Sequence, residues 1–392
     1  MLQGLDKIDW NNLEHAYGNA SDVPDLLRDL ISKDPETQEN ALWELYGNIY
    51  HQGTRYEATV YAIPFIFQLI KAPDTPQKAD LIRFTIDLAL GYPEAFLPKG
   101  TNVEDWKDDV AYLKSELAEE DDGNENYLDW YKHIDAYIDC YKAVLKEVPT
   151  YIQCLNDKDE MVRLNAIFAL AWFREEAKTS ISKVRELLKK ETDPKLIASI
   201  LITLSMLGAY LNDTSDHNIF KQYIHEKYTF LINVSAAISI INILQEDTEK
   251  EILDFLISNL EKINQLEISP VSFPWNDGDL VGYVADVLKF FGVESPETIV
   301  PAFCKILKTL SGFRAFNLIN ALFWIVFPDI PDGDEWTFKE LNKYQKQVLR
   351  AITANINTWR SEELNYENLS LLLKDFKLPS TLEGLKKLLN IE

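Results

Sequence analysis

Apolar residues recur at helical spacing after several pairs of a β-branched residue and proline. The pairs are Val23-Pro24, Ile63-Pro64, Val148-Pro149 and Val300-Pro301. Apolar residues stand two and six positions after each proline, which places both on one face of a helix. Proline suits the first turn of a helix, where its missing amide proton forfeits no hydrogen bond. The pattern predicts that each pair opens a helix.

A helix-capping residue stands ten positions after each of these prolines. These residues are Asp34, Asp74, Asp159 and Ser311. Their side chains can accept hydrogen bonds from the amide groups that a helix leaves unpaired at its start. We therefore expect a second helix after each one, and so a row of helical pairs.

The clearest second helix follows Asp159 and resembles the second helix of the HEAT-repeat family. Asp159, Val162, Arg163, Ala166 and Ala169 match that helix, which has an acidic cap, a Val-Arg pair and an alanine-rich inner face. The distance from Pro24 to Pro64 agrees with a HEAT period of about 40 residues. The resemblance implies an all-α fold: an α-solenoid of HEAT-like helical hairpins, or armadillo-like superhelix, with an acidic insertion.

Two longer strings extend this resemblance towards the ends of the chain. The segments 46–57 and 341–351 are similar to those of uncharacterised bacterial HEAT-repeat proteins of comparable length. The resemblance implies no reaction and no functional residues.

The repeat is interrupted by an acid-rich stretch between Pro64 and Pro149, which ends in an apolar helical stripe from Tyr127 to Leu145. A Pro/Gly-rich stretch with aromatic residues predicts a long loop near 267–282. A capping box, Ser380-x-x-Glu383, is expected near the end. The predicted segments are N-terminal HEAT-like repeats (1–92), the acidic helical insertion (93–147), central repeats containing the loop (148–326) and a C-terminal helical cap (327–392).

Net charge separates the possible classes of partner. The 392 residues include 63 acidic and 39 basic ones, for a net charge of −24. Proteins that bind nucleic acid directly usually carry a basic stripe that displaces counterions, so nucleic acid is not expected as a ligand. A protein partner with a basic surface fits better.

The cysteines and the apolar segments bear on location. Cys140, Cys154 and Cys304 are scattered and lack the spacing of a disulfide framework or zinc site. Residues 1–12 lack the basic start and apolar run of a signal peptide. The uncharged segment 196–211 is short for a bilayer and is expected to be a buried helix. We expect a cytoplasmic protein without membrane contact.

Motifs for catalysis are missing from the sequence. The five histidines form no HExxH motif, and no phosphate-binding, dinucleotide-binding or nucleophile-elbow motif occurs. No cofactor or metal is expected. The competing class is a HEAT-like enzyme acting on protein or, like certain DNA glycosylases, on nucleic acid. It would need a basic concave groove, and the available cations are Arg163, Lys183, Lys189, Lys190 and Lys195.

Two groups of residues are candidates for contact with a partner. In the string 46–57, a structural interpretation takes Gly53 as a left-handed helix terminator and Thr54-x-x-Glu57 as a capping box. In a functional interpretation, several side chains of this string emerge together and contact a ligand. The acidic insertion is either a solvated face or a mimic of a polyanion with aromatic anchors. The candidates are His51, Arg55, Tyr56, Glu57, Trp106, Asp108, Asp109, Glu119, Glu120, Asp121, Asp122, Trp130, Trp275 and Asp277.

These observations favour a non-enzymatic scaffold or inhibitor that binds protein through a helical surface. The more specific hypothesis is an immunity-type protein that neutralises a basic bacterial effector such as a nuclease.

Overall fold

A computed structural model describes residues 1–119, 134–328, 336–359 and 365–391. The chain divides into two compact units, Met1–Asp213 and Thr214–Glu392. The boundary between them falls inside the segment 148–326, which the sequence pattern treats as continuous.

The first unit contains two short antiparallel hairpins and a series of helices. The strands are β1 (Glu14–His15), β2 (Gly18–Asn19), β3 (Tyr50–His51) and β4 (Thr54–Arg55). The helices are α1 (Val23–Asp29), α2 (Pro35–Asn48), α3 (Glu57–Lys71), α4 (Lys78–Leu90), α5 (Val103–Glu119), α6 (Ile134–Leu145), α7 (Val148–Cys154), α8 (Glu160–Leu170), α9 (Ala177–Leu188) and α10 (Pro194–Leu211).

Among its described residues, the second unit contains helices and loops but no strand. Its helices are α11 (His217–Tyr223), α12 (Phe230–Leu244), α13 (Lys250–Ser258), α14 (Leu260–Asn264), α15 (Leu280–Glu294), α16 (Pro296–Leu307), α17 (Gly312–Val326), α18 (Lys343–Ala354), α19 (Asn365–Asp375) and α20 (Leu382–Leu389).

Each unit is a stack of helical pairs. In the first unit, α3 packs on α4, α7 on α8 and α9 on α10, and the second helices form a continuous row because α8 contacts both α4 and α10. In the second unit, α15 packs on α16 and α17, and α18 packs on α16 and α20. The predicted all-α solenoid fold class is confirmed. The hairpins are an addition that the sequence pattern did not predict.

The predicted second helix after Asp159 is confirmed in detail as α8. Ala166 and Ala169 are fully buried, and Val162 and Leu170 lie in the core. These small side chains let α8 approach its neighbours closely, as the HEAT-like pattern requires. Arg163 Nε forms an ion pair with Glu191 at 3.1 Å, and its Nη1 donates to the carbonyl of Asp157 at 3.0 Å.

The prediction that each β-branched–proline pair opens a helix is correct at two places and wrong at two. Val23-Pro24 and Val148-Pro149 begin α1 and α7. Pro64 and Pro301 instead lie inside α3 and α16. Both prolines are exposed, so the backbone carbonyl that loses its helical partner can face water.

Two of the four predicted caps form, and two do not. The side chains of Asp34 and Asp159 accept hydrogen bonds from the amides of Thr37 and Met161, at 3.3 and 2.8 Å. The prediction for Asp74 is wrong, because α4 begins later and Gln77 precedes it. Ser311 does precede α17 but makes no side-chain capping bond.

The expected capping box at Ser380 and Glu383 does not form, because the cap is the next residue in the sequence. Thr381 precedes α20, and its hydroxyl accepts from the amide of Gly384 at 3.1 Å. The long loop predicted near 267–282 is present between α14 and α15.

Two helical segments are long and apolar enough to cross a membrane by length and composition. They are Pro194–Leu211 and Phe230–Asp247, and 72% and 67% of their residues are buried inside the protein. The segment 196–211, predicted to be a buried helix, is the core helix α10. Its burial explains its hydrophobicity.

Candidate functional site

The β3–β4 hairpin carries the most distinctive string of the sequence. Its turn residues Gln52 and Gly53 both have positive φ, 50° and 84°, as a two-residue hairpin of type I′ requires. Gly53 therefore turns a hairpin, and the prediction that it terminates a helix is wrong. Because Tyr50 pairs with Arg55 and His51 with Thr54, the two pairs point to opposite faces.

The predicted capping box between Thr54 and Glu57 does not form. The amide of Tyr56, which precedes α3, donates to Thr59 Oγ1 at 2.8 Å. The Thr59 hydroxyl donates in turn to the carbonyl of Ile49 at 2.5 Å. Thr59 thus ties the start of α3 to the end of α2.

The side chains of this string do not emerge together. Arg55 and Tyr56 are buried, His51 is half-buried on the opposite face, and Glu57 is exposed. This corrects the prediction of a single cluster, and the cause is the alternation of side chains along a strand.

Arg55 enters the interior without a carboxylate partner among the described residues. It is 5% exposed, its Nη1 donates to the carbonyl of Gly53, and its guanidinium lies 3.8 Å from the ring centre of Tyr137. Its Nε is buried and has no hydrogen-bond partner. Burial lowers the pKa of Arg55 because it disfavours the charged form.

A cavity of about 250 Å³ lies beside this arginine. Its walls come from the β3–β4 hairpin, residues 90–92 at the end of α4, Ala95 and Phe96 of the following 3₁₀ turn, and Tyr137 of α6. Both Gly53 and Gly91 line it.

A separate aromatic surface lies around the exposed face of α2. Trp43 is 77% exposed, and Tyr17, at the tip of the β1–β2 hairpin, is 71% exposed. The rings of Tyr17 and His51 pack edge to face, 5.5 Å between centres. His51 Nδ1 lies 3.1 Å from the carbonyl of Gly47 on α2.

The first α-helix of the acidic insertion is α5. Trp106 is half-buried and packs on Phe96 and Tyr141 at 5.2 and 5.4 Å, so its ring is not a free anchor. Tyr112 is 60% exposed and lies one turn after the exposed Asp108.

The other candidates of the acidic insertion are only partly covered by the structure. The backbone of Asp109 and Glu119 forms part of α5, but the structure does not describe their side chains. Glu120, Asp121, Asp122 and Trp130 lie outside the described residues.

The aromatic residues of the loop near 267–282 are buried. Trp275 is fully buried and stacks on Tyr283, 6.4 Å between centres, so the prediction of an exposed aromatic here is wrong. Asp277 is exposed. Buried Asp279 caps α15 at the amide of Gly282 and accepts from Arg314 Nε at 3.2 Å, which fixes the loop to α17.

The structure shows where several residues considered for an enzyme lie. Within the described ranges, no group of three or more His, Cys, Asp or Glu side chains is placed to hold a metal ion. Three of the cations proposed for a basic groove have local partners: Arg163 pairs with Glu191, Lys183 with Glu186, and Lys190 with the Asn156 side chain.

Comparison with known proteins gives distant structural likeness only. No protein-family model and no curated protein sequence matches the chain. The crystal structure of Kap121p bound to Pho4p covers 90% of this chain at 15% identity and a TM-score of 0.37, and the chain spans 37% of its length. An engineered protein from a structural genomics programme covers 93% of this chain and 99% of its own, at 18% identity and a TM-score of 0.28. Both scores are low, so the all-α description rests on the helices themselves.

Proposed function

We propose that this chain is a non-enzymatic protein-binding scaffold or inhibitor, and that it docks a basic protein on the exposed face of α2. The observation that carries the proposal is the exposure of Trp43. A tryptophan side chain is a large apolar surface, and tryptophan is enriched among the residues that dominate binding energy at interfaces.

The surroundings of Trp43 are acidic. Glu36, Glu39 and Glu44 are exposed on the same helix, whereas the opposite stripe, including Ala41 and Leu45, is buried. Glu39 lies one turn before Trp43, on the same side of the helix. An aromatic anchor with a carboxylate rim complements a partner that presents an apolar pocket framed by Lys or Arg.

The helix also leaves space next to this anchor. Gly47 lies one turn after Trp43, and a Cβ atom placed there would meet nothing within 4 Å. The packing of the described residues therefore does not require a glycine at this position. A close approach of a partner's backbone to α2 would give it a role.

The acidic insertion supplies a second surface of the same kind. Asp105, Asp108 and Tyr112 are exposed along one side of α5. Together with the net charge of −24, they favour a basic protein over an acidic one.

The decisive experiment captures partners from native cytosol and then measures direct binding with the purified partner. We expect a basic protein whose dissociation constant rises about 10- to 30-fold with Trp43→Ala, since truncated hot spots cost about 2 kcal/mol. Trp324→Ala is the matched control. Trp324 is also an exposed helical tryptophan, 52%, but the ammonium group of Lys289 lies 5.4 Å from its ring centre.

The proposal fails if only acidic or nucleotide-bound partners are recovered. It also fails if Trp43→Ala and Trp324→Ala bind the basic partner as tightly as the unaltered chain.

The finer proposal is that the partner is a toxic bacterial effector, such as a nuclease, and that this chain is its immunity protein. Co-expression should then restore growth of cells that make the effector, and Trp43→Ala should reduce that protection. Growth arrest that is unchanged by the chain would reduce the proposal to simple binding. We place this activity in the cytoplasm, and the unpaired, buried state of Cys140, Cys154 and Cys304 supports that placement.

A further inference from the structure

The cavity beside Arg55 contains an unusual combination of features for the interior of a helical repeat. A buried guanidinium normally pairs with a carboxylate, because burial of an uncompensated charge is costly. Among the described residues, Arg55 has one carbonyl acceptor and one aromatic ring, and no carboxylate lies within ion-pair distance. Arg55 therefore places its charge in the wall of a cavity that is large enough for a small molecule.

The protein does not supply an acceptor for every donor of this guanidinium. Nη1 is used by the carbonyl of Gly53, whereas Nε has no hydrogen-bond partner. A ligand that enters the cavity can therefore offer the guanidinium a charged acceptor that the described residues do not provide.

Two glycines leave room for the side chains that form the cavity wall. A Cβ atom at Gly91, which has φ of 78°, would lie 2.5 Å from Arg55 Nη1. A Cβ atom at Gly53 would lie 2.5 Å from the Tyr92 ring. The hydroxyl of Tyr50 donates to the carbonyl of Gly91 at 2.7 Å, which fixes this wall of the cavity. The cavity thus depends on two positions where an added side chain would displace the side chain of Arg55 or Tyr92.

We infer that this cavity binds a small monocarboxylate with an apolar substituent, whose carboxylate accepts hydrogen bonds from Arg55. Leu90, Ala95, Phe96 and the ring of Tyr137 provide apolar contacts for the substituent. A single negative charge is favoured over the double charge of phosphate, because the chain as a whole carries −24. This site is distinct from the α2 surface of the proposed function and can be tested separately.

Isothermal titration calorimetry of the full chain with acetate, propionate, benzoate and inorganic phosphate tests the inference, with ionic strength held constant by sodium chloride. We expect one saturable site that prefers benzoate to acetate, because the apolar walls add contact area. Phosphate should bind more weakly than benzoate.

Three variants separate this site from a structural role for Arg55. Arg55→Met removes the donors, and Ala95→Leu fills the cavity from an exposed position while leaving the arginine in place. Each should weaken benzoate binding at least tenfold. Arg174→Met is the matched control, because Arg174 also lies over a tyrosine ring, that of Tyr210 at 5.7 Å, but is exposed. It should bind benzoate as the unaltered chain does.

The inference is overturned if no carboxylate gives saturable heat, if phosphate binds more tightly than benzoate, or if Ala95→Leu and Arg55→Met leave benzoate affinity unchanged. If Arg55→Met does not fold, as judged by circular dichroism, the comparison of Ala95→Leu with Arg174→Met decides the question.

Discussion

At the scale of single residues, short-range hydrogen bonds determine where many of the helices begin. Asp34, Asp159 and Asp193 each accept hydrogen bonds from amides of the first helical turn. Asp34 and Asp159 were predicted from the sequence because a cap and the amides it binds lie within three residues of each other. Ser311 shows the limit of such reasoning, since its residue type is suitable but its bond is not made.

Asp193→Ala should therefore destabilise the protein, by about 1 kcal/mol in the free energy of unfolding. Asp193 accepts from the amides of Lys195 at 2.8 Å and Leu196 at 3.1 Å, and alanine leaves both unpaired. Urea denaturation measures the difference. Ser311→Ala is the control and should change the free energy by only a few tenths of a kcal/mol; an equal loss in both variants would contradict the explanation.

The cysteines should be unreactive in the native protein. Burial raises the pKa of Cys140 and Cys304 to about 12 and that of Cys154 to about 11, because it disfavours the thiolate. All three remain protonated at pH 8, and a thiol reagent should modify them only after denaturation. An unfolded cysteine ionises near pH 9, so these thiols also lower stability as the pH rises from about 9 towards 12. A fast-reacting thiol in the folded chain would contradict this prediction.

The residues of the candidate sites were harder to predict than the caps. Arg55 meets Tyr137 and Gly91, which lie far from it in the sequence, so no local pattern indicates its burial. The burial of Trp275 was missed because the turn that carries it folds back onto α15, where Trp275 stacks on Tyr283. The exposure of Trp43 could have been predicted, because it lies across the helix from the apolar Ala41 and Leu45.

At the scale of elements, the α-helical pattern was predicted well and the starts of helices less well. The stripe of α8 was correct because its apolar and small residues follow a single helical period. The start of α3 was missed because Pro64 suggested a first turn, whereas the helix begins earlier at Glu57. The two hairpins were missed because strands of two residues are too short to show alternation.

Two helical glycines should respond in opposite ways to substitution by alanine. At Gly47 in α2, the added methyl group meets nothing, so Gly47→Ala should stabilise the chain by about 0.5–1 kcal/mol. At Gly292 in α15, the same group would lie 2.5 Å from Ile325 Cδ1 in α17, so Gly292→Ala should destabilise it by about 1–3 kcal/mol. Thermal denaturation of both variants tests the pair. A loss of stability with Gly47→Ala would contradict this prediction, because it would mean that the added methyl group collides with a neighbour.

At the scale of the whole molecule, the net negative charge should control how the stability of the fold responds to salt. The net charge of −24 makes the like charges of the folded chain repel one another, and salt screens that repulsion. Raising sodium chloride from about 0.01 to 0.15 M should therefore increase the melting temperature, because the Debye length falls from about 30 to 8 Å. An equal osmolality of sucrose serves as the uncharged comparison. A melting temperature that falls with salt would indicate that the ion pairs of the fold outweigh the repulsion.

The position of the two most apolar helices has a consequence for synthesis on the ribosome. The partners of α10 are α8 and α9, which precede it in the chain, so they are already made when α10 emerges. By contrast, α12 packs partly on α13 and α15, which follow it. At about 5–20 residues per second, α12 must wait several seconds for them. The nascent chain therefore passes through a period in which an apolar segment is uncovered, and this is where we expect chaperones to engage it.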